Sequence, residues 1–165
     1  MDADYFRLTY DFSCWARDRL FVAANGLSDD EWRRDNGFTY KSIGGILLHA
    51  MQAERLNTMR MMGSISGPAP AQSTEVPPAS ELLAQWQEAE ATLRPWLATL
   101  DEAALHRLHA TRNGETEVWK TLAHMGYHSM QHRSEAAEAL TLAGSSPGNL
   151  DLIIYFAERE QPTAS

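Results

Sequence analysis

Apolar residues recur along the chain at intervals of three and four, and glycines, prolines and polar clusters separate these runs. That period predicts a series of helices with one buried stripe each. The first runs from Asp4 to Ala24, with Leu8, Phe12, Trp15 and Val22 as its stripe and Gly26 where a left-handed cap residue sits. Ser28 and Glu31, three apart, form a capping-box signature that opens one short helical turn carrying Trp32. The second long helix spans Ser42 to Met62, with Ile46, His49, Ala53 and Leu56 on one face and Gly63 as its stop. Residues 63–79 contain four prolines and two glycines, so they predict a semi-extended linker whose length suits a crossover.

Ser80 is placed to cap the third long helix, whose stripe of Leu83, Trp86, Glu90, Leu93, Leu97 and Leu100 is polar only at Glu90. Pro95 predicts a kink or a split in it. From Asp101 to Glu117 the period is lost, and the turn dipeptide Asn113-Gly114 predicts a loop or a small hairpin. The fourth long helix, from about Glu117 to Ala143, has the most regular stripe: Val118, Leu122, Met125, Ser129, His132, Ala136, Ala139 and Ala143, before Gly144. A short helix over NLDLIIYFAERE follows, and 161–165 read as a disordered polar tail. The expected architecture is all-α: one domain over 1–160, a four-helix bundle with a long crossover between its second and third helices, plus short extra helices.

A chain of 165 residues is long enough to bury one core. A net charge of -8 with scattered Lys and Arg disfavours nucleic-acid binding, and no apolar stretch approaches the ~20 residues that span a bilayer. One cysteine, Cys14, excludes an internal disulfide framework, and the acidic, aromatic opening does not read as a signal peptide. The expected location is cytoplasmic.

Six histidines change the picture, because His124, His128 and His132 stand four apart on one helix face. Helical neighbours four apart lie about 5–6 Å from one another at Cβ, so His128 and His132 are able to converge on one ion. His49 lies on the stripe of the second helix and faces the same core. Three neutral imidazoles suit zinc, nickel, copper or ferrous iron and leave coordination positions open. On spacing alone a second reading stands beside this one, in which each is a core histidine bonded to a carbonyl. His124 lies a turn too far and reads as outer support for the site or as bundle surface. His106 and His109, in the aperiodic segment, read as solvated.

Three blocks resemble the DinB family of bacterial four-helix-bundle proteins, related to YfiT-like thiol transferases. They are YDFSCWARDRL from Tyr10, SIGGILLHAMQAERLNTMRMMG from Ser42, and TLAHMGYHSMQHRSEAAEALTLAGSSPGNLDLIIYF from Thr121. The last carries the family's HxxxHxxxHR helix, though Tyr127 and Ser134-Glu135 depart from the family's usual residues. The resemblance implies that His49, His128 and His132 hold one divalent transition metal, zinc or nickel first; beside it, His124 by its spacing reads as outer support, and Trp15 and Tyr10 as candidates to line a pocket next to the ion. The resemblance also implies a metal-dependent enzyme that transfers a low-molecular-weight bacterial thiol to an electrophilic small molecule, and a homodimer. A metal-dependent hydrolase of small amides and a non-catalytic, metal-binding stress-response dimer are the alternatives.

Overall fold

The computed structural model describes residues 2–37, 39–66 and 68–160. The tail expected to be disordered, 161–165, lies outside the described residues. Among the described residues the chain is mostly helical: α1 (Ala3–Ala24), α2 (Asp29–Arg33), α3 (Ile43–Met61), α4 (Ala79–Ala98), α5 (Glu102–His106), α6 (Val118–Leu142) and α7 (Leu152–Arg159). A small antiparallel sheet, β1 (Leu108–Thr111) and β2 (Gly114–Glu117), lies between α5 and α6. It is the hairpin expected around Asn113-Gly114, with Gly114 at φ 112 in the turn and Thr111 paired with Gly114. Among the described residues no helix is long and apolar enough to cross a membrane.

Each start and stop has a local cause. Asp2 caps α1 by accepting from the Tyr5 N–H, and Ser42 caps α3 by accepting from the Gly45 N–H. The Ser28–Glu31 capping box closes in both directions around α2 and seats Trp32, 2% exposed, in the core. Gly63 and Gly144 take positive φ and end α3 and α6.

Three boundary expectations are corrected. Gly26 does not enter the left-handed region; α1 ends at Asn25 with right-handed geometry, and the chain turns directly into the α2 cap. Ser80 lies inside α4, whose N-cap is Pro78 without a side-chain bond, because the fixed φ of proline already sets the entry. Pro95 does not split α4. It falls in the last turn, and the carbonyl it leaves unbonded, that of Ala91, belongs to an exposed residue open to water.

α1 packs against α4 and α6, and α3 packs against the same two. One apolar cluster joins Leu20, Phe21, Trp32, Ile46, Leu47, Trp86 and Leu140; a second joins Phe6, Tyr10, Met61, Leu93, Leu97 and Val118. The expected α1 stripe is corrected too: Val22 is 71% exposed and Leu8, Phe12 and Trp15 are half-buried, whereas Phe6, Tyr10, Cys14, Arg17 and Leu20 are buried. α1 touches α4, α6 and α7, and between Tyr10 and Leu20 its inward side carries Ser13, Cys14, Ala16 and Arg17, small or polar residues that interrupt the apolar period. Phe12 and Trp15 turn instead to α7, where both rings meet Tyr155 edge-on. The polar step in the α4 stripe also has a partner: the buried Arg17 guanidinium donates to Glu90 Oε2 at 2.7 Å.

Candidate metal centre

His49 comes from α3, and His128 and His132 come from successive turns of α6, the helix packed against it. His132 is buried; His49 and His128 are half-buried. The Nε2 atom of His128 lies 3.2 Å from Nε2 of His49 and 3.2 Å from Nε2 of His132. All three ligand atoms fall within 4.8 Å of one another. Nitrogens bound at about 2.0–2.1 Å to one tetrahedral zinc-like ion stand roughly 3.3 Å apart, a value that the two separations from His128 match.

The proton arrangement points the same way. His132 Nδ1 sits 2.8 Å from Glu135 Oε2, and a carboxylate only accepts, so Nδ1 carries a hydrogen and, in the neutral ring, Nε2 presents the lone pair. Burial pushes the Glu135 carboxyl up, but the bonds from His132 and Gln131 outweigh it and hold the group below its ordinary value. Burial, then the neighbouring imidazoles, push His128 down to about 4, and burial with His132 lowers His49. These rings are therefore neutral near pH 7, the form that ligates. One Nε2–H on His128 is able to serve only one of its two neighbours; a single cation at the centre satisfies all three nitrogens.

Tyr40 completes the surroundings. Its ring stacks on His49 with centroids 3.8 Å apart and planes at 13°, and meets His132 edge-on at 5.3 Å. The backbone holds it there through a tight turn. The Ser42 N–H donates to the Tyr40 carbonyl at 2.8 Å across Lys41, which has φ 68, the sole positive value on a non-glycine among the described residues. Gly45 packs so closely beneath the Tyr40 carbonyl that a Cβ would overlap it.

The remaining sequence candidates lie as follows. His124 is exposed on α6, its ring 5.4 Å from that of His128, and is outside the group of converging nitrogens. Trp15 donates its indole N–H to Glu158 on α7 at 2.9 Å, and the Tyr10 hydroxyl donates to Glu54 on α3 at 3.2 Å. His106 is exposed and pairs with Glu117 at 2.8 Å. His109 corrects its expectation: it is 5% exposed, with Nε2 accepting from the Thr121 hydroxyl at 2.8 Å and Nδ1 donating to the Ala110 carbonyl. The hairpin folds it onto α6, a contact with no periodic signature.

The DinB family model matches residues 2–162 of this 165-residue chain. The chain belongs to the DinB family. No curated protein matches it. In this DinB chain three neighbouring histidines are thus able to hold a metal ion, and the residues around them supply its support. In the sequence Glu135 stood out only as a departure from the family's usual residues, although its i,i+3 spacing from His132 is a signal for this contact. Tyr40 gave no signal, since it lies in an aperiodic connector before α3.

Proposed function

We propose that His49, His128 and His132 are the ligands of one divalent transition ion, zinc or nickel, and that the protein transfers a low-molecular-weight thiol to an electrophilic small molecule. The convergence of three imidazoles in a DinB chain carries this reading. An ion held by three imidazoles keeps a coordination position open, where it lowers the pKa of a thiol or a water. In the same proposal α1, α3, α4 and α6 form a four-helix bundle within a single domain over 1–160.

The chain's own residues divide the remaining work. Glu135 fixes the tautomer and aim of His132. Tyr40 covers one face of His49 and keeps water from it, while His49 and His128 retain partial exposure through which a substrate reaches the site. The reactive sulfur comes from outside the protein. Cys14 is buried, and burial pushes its thiol up to about 12, so it is a thiol rather than a nucleophilic thiolate at pH 7.

The deciding experiment begins with elemental analysis of protein purified without a metal-affinity tag, expecting about one ion per chain. Chelator-stripped protein is then assayed with bacillithiol, mycothiol and glutathione against a chromogenic electrophile, and zinc or nickel is restored singly. Conjugation that vanishes on stripping and returns with one metal supports the reading. Undiminished conjugation in verified metal-free protein refutes it. Activity on small amides alone, or none at all from a metal-loaded dimer of the 18.5 kDa chain, favours hydrolysis or a non-catalytic role.

A further inference from the structure

A large groove between α1, α6 and residues 148–152 takes no part in the site described above. It encloses about 570 Å³, within the range of small-molecule pockets. Its walls are mainly apolar, with Phe6, Phe12, Leu122, Met130 and Leu150 among them. Two residues of opposite charge line it: Arg133, which is 5% exposed, and Asp151, which is exposed.

Arg133 follows His132 in the chain but turns to the other side of α6, since successive helical residues point about 100° apart. Its guanidinium carbon stands 4.9 Å from the Phe12 ring centroid, and Nη1 donates to the Phe12 carbonyl at 3.4 Å. A guanidinium offers five N–H donors. Among the described residues, that long bond is the one hydrogen bond Arg133 makes, and no carboxylate forms an ion pair with it. Arg17 shows the contrast. It is equally buried at 3% exposure, and it donates to both Asp18 and Glu90 at 2.7 Å. A buried cation without a counter-ion is costly for a fold to hold, and an anion arriving in the groove removes that cost.

We propose that this groove binds a small amphipathic carboxylic acid, aliphatic or aromatic, whose carboxylate takes a forked contact from Arg133 and whose apolar body lies along Phe6, Leu122 and Met130. The planar fork of arginine matches a carboxylate. Arg133, the buried charge of the lining, balances a monoanion and leaves the second charge of a phosphate monoester unmatched, while Asp151 is exposed and screened by water. Gly126 leaves room for the ligand: a Cβ built there meets no atom within 4 Å.

The test is calorimetric titration of the full chain with decanoate, decanol and decylamine, in chelator so that the three histidines offer no metal for the carboxylate. Decanoate binds at about one per chain, and decanol and decylamine bind at least tenfold more weakly. Arg133→Met loses the preference for decanoate over decanol. Should that variant fail to fold, Gly126→Leu decides, because it fills the groove while exchanging a helical glycine for a better helix former. It keeps its helical content and loses decanoate binding at least tenfold. Absence of decanoate binding to the wild type, equal binding of decanol, or undiminished binding by Gly126→Leu each overturns the proposal. So does a wild-type dimer that Gly126→Leu converts to monomer without any decanoate binding, which would assign the groove to a second copy of the chain.

Discussion

The Nδ1–H of His132 donates to Glu135 Oε2 at 2.8 Å, one helical turn further along α6. A histidine ligand held this way has a fixed tautomer and a raised basicity at the opposite nitrogen, and such outer partners contribute roughly 10–100-fold in metal affinity. Glu135→Ala is therefore expected to weaken metal binding by about that factor. Its thermal unfolding without metal stays near the wild type, because the carboxylate lies partly in solvent. Competition with a chromophoric chelator measures the affinity.

The three ligands differ in position, and the outcome of removing each follows. His128 sits between the others, with both partner nitrogens 3.2 Å away, so His128→Ala leaves the remaining pair without a common centre. His49→Ala and His132→Ala leave two ligands, and two imidazoles do not make a tight site. All three variants are expected to lose the ion on gel filtration. His124→Ala keeps it, because His124 lies outside the converging group. An ion retained by all three variants, or lost with His124 alone, refutes the ligand assignment.

How much of this was legible in the sequence depends on the kind of contact. The stripe of α4 reads correctly because one face meets the core and leucines fill it. The stripe of α1 does not, because Ser13, Cys14, Ala16 and Arg17 interrupt its inward side while Phe12 and Trp15 turn to α7. The three histidines are legible as a group because two of them share a helical face. Tyr40 is not, since its place on His49 depends on a turn through Lys41 and on the missing side chain of Gly45. His109 is hidden for a similar reason: a polar segment conceals the buried side of a hairpin.

Gly45 gives a direct test of that turn. A methyl group there overlaps the Tyr40 backbone oxygen, which cannot swing aside as a long side chain would. Gly45→Ala is expected to cost about 1–3 kcal/mol, the range of overpacked sites, and to move Tyr40 off His49, lowering metal affinity as well. Gly126→Ala is the control, a helical glycine whose added Cβ meets nothing within 4 Å. It is expected to gain up to about 1 kcal/mol from helix propensity. Urea unfolding of both variants, with metal titration of each, separates the two effects. Equal stability of Gly45→Ala and the wild type would refute the close approach.

Glu54, half-buried on α3, accepts from the Tyr10 hydroxyl at 3.2 Å. Burial pushes its carboxyl up to about 7, against the opposing effects of a bond from Trp86, the charge of Arg17 and the bond from Tyr10. In the unfolded chain the same group titrates near its ordinary value of 4.5. Between those two values the folded protein binds more protons at this site than the unfolded chain, so stability falls as pH rises. The contribution is fully present below about 4.5 and is lost as pH passes about 7. Glu54→Gln keeps the shape and an acceptor for Tyr10 but does not titrate. Relative to the wild type it is expected to be nearly neutral at pH 5 and more stable by roughly 2 kcal/mol at pH 8, since one pKa unit corresponds to about 1.4 kcal/mol. Denaturant unfolding of the pair at several pH values isolates the effect, because every other titrating group is common to both proteins. A stability difference that stays constant from pH 5 to pH 8 would show that Glu54 does not change its protonation over this range.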